Sequence, residues 1–163
     1  MNRNVKVVSA VLLCVALAAC GGSSPSGPTT TATPVPTPTP VSYSGTYSGP
    51  MTGTGNGVAA VPCSGRTVVT HTGTAISFGD LTVTGCFTSA VTFGGASSTL
   101  NGNSFSATSS YNSTGCGVIA SAWTGFFSGD GRLMNLRVVL TPGPSAPSDC
   151  GGVLQFLGEI TKQ

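Results

Sequence analysis

From residue 41 onward the apolar side chains recur at every second position, and no stretch shows helical spacing. Met134, Leu136, Val138 and Leu140 share one face of an extended chain, as do Leu154, Phe156, Gly158 and Ile160. Positions two apart share a face only in a strand. Turn residues break the alternation at short intervals, the pattern of an antiparallel meander. Strands are predicted over Tyr43 to Thr54, Arg66 to His71, Ala75 to Phe87 with a break at Gly79-Asp80, and Ala90 to Phe93. Further strands are Ser98 to Leu100, Ser104 to Tyr111, Val118 to Ser128, Leu133 to Thr141 and Val153 to Thr161. Asn101-Gly102 reads as a type I′ hairpin turn. The expectation is an all-β fold, a small antiparallel meander that closes as a barrel or a sandwich.

Charge narrows the choice of partners. Only 6% of residues are charged, against roughly a quarter in an ordinary globular protein. Outside the first 19 residues the positives are Arg66, Arg132, Arg137 and Lys162, and the negatives are Asp80, Asp130, Asp149 and Glu159. The two sets cancel and neither clusters. Nucleic-acid binding needs grouped cations to neutralise phosphates, so it is excluded.

The beginning of the chain reads as an export signal. Arg3 and Lys6 precede an apolar run from Val7 to Ala16, too short to span a bilayer, and Leu17-Ala18-Ala19-Cys20 follows. These four residues resemble the lipobox of bacterial lipoproteins and match it at each position. The resemblance implies cleavage between Ala19 and Cys20, a diacylglycerol thioether on the Cys20 sulfur, and a further acyl chain on the new amino terminus. Two or three acyl chains make a durable anchor where one does not. Gly21 and Gly22 are not the acidic signal that retains such proteins in the inner membrane, so the resemblance implies the outer membrane. The competing reading is ordinary cleavage after Ala16-Leu17-Ala18, which would release a soluble protein beginning at Ala19.

Three regions follow: a signal peptide over 1–19, the lipidated cysteine and a tether over 20–40, and a β domain over 41–163. The tether runs from Gly/Ser into alternating proline, which disfavours helix and sheet and favours extended polyproline II. At about 3.1 Å per extended residue, it reaches tens of Å.

Cysteine parity fits this division. Of six cysteines, Cys14 leaves with the signal and Cys20 takes lipid. Cys63, Cys86, Cys116 and Cys150 remain in an exported domain, where two disulfides are expected. Their spacings are too long for the close pairs of a zinc site. A hairpin turning near Gly73 sets Cys63 against Cys86. One turning at Asp130 brings Cys116 to the loop holding Cys150. The expected pairs are Cys63–Cys86 and Cys116–Cys150.

No catalytic constellation stands out, and no cofactor or metal site is expected. His71, the single histidine, reads as a solvent-facing strand residue with no nucleophile elbow nearby. Asp80, Asp130 and Asp149 sit in turn sequences, where their side chains bond local amides. Tyr43, Tyr47, Tyr111 and Trp123 are candidates to face a ligand, although core packing explains them as well. Gly45-Thr46-Tyr47 resembles the Gly-x-Trp of lipocalins in three residues, without the other lipocalin motifs, so no lipocalin function is carried over. Ser42 to Gly49 and Ala122 to Gly129 echo each other, either as two related halves or as one local solution used twice. The leading expectation is a non-enzymatic binding or structural module on a stalk, its protein or small-molecule partner unknown. The alternatives are a small hydrolase using His71 or a turn carboxylate, and a protein inhibitor presenting the loop Pro142 to Pro147.

Overall fold

The computed structural model describes residues 39–55, 58–150 and 152–163. The expected signal peptide, Cys20 and the tether up to residue 38 lie outside the described residues. Among those described there is no α-helix. Ten strands form one antiparallel sheet that curls into a nearly closed barrel: β1 (Gly45–Gly55), β2 (Val58–Thr72), β3 (Ala75–Phe78), β4 (Leu81–Thr84), β5 (Val91–Phe93), β6 (Ala96–Thr99), β7 (Ser104–Ser113), β8 (Gly117–Phe127), β9 (Leu133–Pro142) and β10 (Leu154–Lys162). The hydrogen-bonded order is β5-β4-β2-β1-β10-β9-β8-β7, with β3 paired to β2 and β6. The first and last strands meet, Met51 opposite Gly158.

The ten strands amount to eight staves, because β3 with β4 and β5 with β6 are each one stave interrupted. The first interruption, at Gly79-Asp80, is the break predicted from sequence. There the Gly79 amide donates to the Val68 carbonyl at 2.8 Å and the Thr67 hydroxyl donates to the Gly79 carbonyl at 3.0 Å. The second, at Gly94-Gly95, lies directly beside it. A Cβ on Gly95 would stand 2.1 Å from the Phe78 carbonyl oxygen and 2.8 Å from Gly79 backbone atoms. Only glycine permits two backbones to approach so closely, and the sheet turns its corner there.

The staves alternate as the pattern requires. Met134, Leu136, Val138 and Leu140 are buried, and so are Phe156 and Ile160. The interior is packed with side chains, among them the fully enclosed Trp123, Tyr47 and Phe127. Cys63 is bonded to Cys86 and Cys116 to Cys150. The registers account for both bonds. Ser64 opposes Thr84, so position 63 faces the chain just past β4. Ile119 opposes Pro142, so position 116 faces the loop that carries Cys150.

Three local expectations are corrected. The first strand begins at Gly45, not Tyr43; Gly45 has φ 151°, a conformation other residues rarely adopt. β2 begins at Val58, well ahead of Arg66. Pro62 sits beyond Ser64, where the β4 ladder has ended, so a strand there tolerates proline. The turn at Asn101-Gly102 is displaced by one residue: Asn101 and Ser104 exchange backbone bonds of 2.9 and 3.1 Å around Gly102-Asn103. Beyond that pair no ladder joins β6 to β7. The β6 strand is laddered to β3, while Asn103 is tied to the backbone of Phe127.

Side chains close the unlaced seam instead. The Trp123 indole N–H donates to Ser121 Oγ at 3.0 Å. Ser121 and Ser109 hydroxyls meet at 2.7 Å, and Ser109 Oγ donates to the Gly95 carbonyl at 2.7 Å. Since the Ser109 proton goes to Gly95, Ser121 must donate to Ser109. The relay runs in one direction, from the core across the seam to the second glycine break. Ser98 Oγ adds a bond of 2.6 Å to the Ser106 carbonyl. Every buried side-chain nitrogen or oxygen among the described residues has a partner.

The echo between Ser42 to Gly49 and Ala122 to Gly129 does not mark two halves. In a meander of eight staves, halves would match the first stave with the fifth. The echo falls on β1 and β8, the first and sixth, which run in opposite senses.

The relay generates a prediction. Ser121→Ala leaves the enclosed Trp123 N–H unsatisfied and is expected to cost about 1–3 kcal/mol. Ser110→Ala, on an exposed position of the same strand pair, is expected to stay within about 0.5 kcal/mol. Urea unfolding of both variants checks this; equal midpoints would remove the relay from any role in stability.

Candidate functional site

The barrel has two unlike ends. One gathers the turns after β2, β6 and β8, together with both ends of the described chain. The other gathers the connections before β2, β5, β8 and β10, and with them both disulfides.

The first end is plugged by the residues that precede β1. The Tyr43 ring stacks on Phe127, centroids 4.5 Å apart, and tilts against His71 at 5.0 Å. The His71 amide donates to Ser44 Oγ at 2.8 Å, and Ser44 Oγ donates to the His71 carbonyl at 3.3 Å. The Tyr43 amide donates to His71 Nδ1 at 3.4 Å. Beneath this plug the Tyr47 hydroxyl donates to the Gly131 carbonyl at 2.6 Å, with the Tyr43 carbonyl 3.1 Å away. Burial, with smaller contributions from Tyr43 and Asp130, pushes the Tyr47 phenol up to about 12.

These contacts place the sequence candidates. His71 is not solvent-facing: it continues the inward parity of Cys63, Thr67 and Val69 and is half-buried under Tyr43. No hydrogen bond or ion pair joins it to a carboxylate among the described residues. Tyr47 and Trp123 do not face a ligand; both are fully enclosed in the core. Tyr43 belongs to the plug. Tyr111 is half-buried, its ring against the Gly94 backbone, and burial raises its phenol above the ordinary value. The four aromatics therefore do not converge on one cavity.

Asp130 does what turn sequence predicts. It accepts from Ser128 Oγ at 2.6 Å and from the Arg132 amide at 3.1 Å. The Ser128 bond first, then the Arg132 amide, holds its carboxyl below the usual range. Arg132 approaches it at 3.8 Å but is largely exposed. Arg137 bonds Gln155 at 2.9 Å on the outer wall. The Asp149 side chain lies outside the described residues. No group of three or more His, Cys, Asp or Glu capable of holding a metal ion occurs among the described residues.

The site that sequence reasoning missed lies at the second, disulfide-braced end. A cavity of about 170 Å³ opens there between the end of β1, the start of β2, the residues after β4 and the start of β10. Phe156, Leu154, Val61 and Phe87 line it, with Cys86 and Gly53. Gly53 carries no side chain, and both sulfurs of the Cys63–Cys86 bond lie within 3.5 Å of where its Cβ would stand. Thr54 supplies the one polar side chain among the lining residues. Phe87, partly exposed, packs against Phe93 and Phe156 at 6.5 and 6.2 Å. Its position depends on the adjacent Cys86, which is bonded to β2. No sequence motif could signal this cavity, because four separate segments build it and a missing side chain helps to shape it.

Comparison with known protein families, with curated proteins and with solved structures finds no match to this chain.

The plug generates a prediction about alkaline pH. The folded state favours neutral Tyr47, so its contribution to stability is complete below the ordinary tyrosine value near 10 and is lost as pH rises toward 12. Stability measured against pH is expected to fall across that interval. Tyr47→Phe is expected to flatten the fall, while costing about 1–3 kcal/mol at neutral pH because the Gly131 carbonyl loses its donor. An unchanged alkaline slope in the variant would assign the titration elsewhere.

Proposed function

We propose that this protein is a lipoprotein of the bacterial cell envelope, anchored to the outer membrane through lipid on Cys20. It acts as a non-enzymatic binding module held off the membrane by the segment 20–40. The lipobox-like residues and the Pro/Thr-rich stretch support the anchor and the stalk. The polarity of the barrel carries the binding role. The chain enters at the plugged end, where Tyr43 and Ser44 seal the wall, so the point of attachment is at that end. The opposite end holds both disulfides and the apolar cavity. A domain attached by one end presents the other.

A binding role fits the chemistry of the two ends better than hydrolysis does. His71 is engaged with the plug, and Asp130 is engaged with its own turn, on the side of attachment. The cavity has an apolar lining and no general acid or base among its lining residues. Such a surface recognises; it does not move protons.

The anchor is tested by replacing Cys20 with Ser. Wild-type protein is expected to incorporate labelled palmitate and to sediment with outer-membrane vesicles. The Cys20→Ser variant is expected to take up no label and to leave the membrane fraction. Membrane association undiminished by the substitution would overturn the lipid anchor.

A further inference from the structure

We propose that the cavity at the disulfide-braced end is a binding site for a single neutral aromatic ring, carried by a small molecule. This deepens the binding role proposed above and rests on it. Three observations fix the ligand class. The first is size. At about 170 Å³ the cavity is close to an apolar cavity of about 150 Å³ that holds benzene, and well below the several hundred Å³ needed by larger ligands. It is too small to enclose a sterol, a haem or a long acyl chain, and the barrel interior beside it is filled by side chains such as Trp123, Tyr47 and Phe127.

The second is the lining. Phe93 and Phe156 lie 5.2 Å apart at 35°, and Phe87 tilts against Phe156 at 58° and meets Phe93 edge-on at 62°. Phe87 and Phe156 both contribute to the cavity wall. A further ring seated beside them extends the same tilted arrangement, in which ring edges meet ring faces. The third is charge. Asp149 is the single ionisable residue in the four connections at this end, and none lines the cavity. An ionised ligand would be desolvated there without a counter-charge, a large cost. A neutral ring carries none of it.

The Cys63–Cys86 bond then has a second duty. It fixes Cys86, and through it the neighbouring Phe87, as the outer wall of the site. The wall is set before any ligand arrives, so binding need not order the loop.

Toluene is the probe. The oxidised full chain carrying Cys20→Ser is titrated with toluene and followed by NMR. Saturable shifts are expected at millimolar or lower toluene, confined to residues around Gly53, Val61, Phe87, Leu154 and Phe156. Ala59→Leu, which places bulk at the exposed rim of the cavity, is expected to weaken binding by about tenfold or more, with an unchanged unfolding midpoint. Phe87→Ala, which removes a wall, is expected to weaken binding to a similar extent while also lowering the unfolding midpoint. Methylcyclohexane is expected to bind more weakly than toluene. Absent or non-saturable shifts in a folded protein would overturn the proposal. So would Ala59→Leu binding as tightly as wild type, or methylcyclohexane matching toluene. The membrane-fraction experiment on Cys20 decides the anchor separately, so the two readings fail independently.

Discussion

The barrel depends on two backbone breaks lying side by side. An antiparallel sheet of eight staves does not close unless some of them bend sharply. Here β3 and β4 part at Gly79-Asp80, β5 and β6 part at Gly94-Gly95, and Gly95 rests on the backbone of Gly79. Breaking a ladder frees carbonyls inside a low-dielectric wall, where an unpaired group is costly. Each break is therefore met by a hydroxyl from a neighbouring inward position: Thr67 on the Gly79 carbonyl and Ser109 on the Gly95 carbonyl. Thr67 and Ser121 are the buried polar residues of the core, and both belong to this arrangement. The polar interior is small because the bend is its main reason for being there.

Closing the barrel this way leaves one seam unlaced, and the seam explains why the two ends differ. The β6 strand is laddered to β3 on one edge, and at its other edge side-chain bonds from Ser98 and Ser109 span the seam to β7. Near the plugged end the loss is covered by Asn103 and by the aromatic stack of Tyr43 on Phe127. At the other end two of the connections, 85–90 and 143–153, are the longest in the barrel, and both are rich in small residues. There the chain is held by covalent bonds, across intervals of 23 and 34 residues. Each closure of that size contributes about 3–4 kcal/mol through the unfolded state. A domain with so few charged groups and so many glycines gains little elsewhere.

Much of this was legible in the sequence, and the reasons differ by feature. Alternation along Leu133 to Thr141 and Val153 to Thr161 is a local signal, and those strands sit where it places them. The disulfide pairing was legible because hairpin registers are sums of residue numbers, once Gly73 and Asp130 are taken as turn positions. The break at Gly79-Asp80 was visible as a turn pair inside a strand. Inward or outward parity at the ends of strands was not. His71 lies in the last two residues of β2, where solvent and interior are separated only by what caps the barrel, and the cap is Tyr43, 28 residues earlier. The Asn101-Gly102 turn slipped because tertiary ties to Phe127 outweigh the local preference of two residues. The roles of Tyr47 and Trp123 could not be chosen from sequence. An inward aromatic faces a ligand or fills a core according to how many others share the interior, which is a property of closure.

The cavity illustrates the same limit from the other direction. It arises where the inward row of β1 passes from Met51 to Gly53 and Gly55, which bring no side chain into the interior. Had residue 53 carried a side chain, it would have stood against the Cys63–Cys86 sulfurs and Phe156. The disulfide occupies that place instead, bracing the wall and forming part of the chamber floor. Stability and the shape of the chamber at this end are thus not separate properties. The bond that holds a thin, glycine-rich rim in place also sets the position of Phe87, and with it the width of the opening. Any change that loosens the rim must alter the chamber, whereas the sealed end, joined to it only through the packed core, can vary independently.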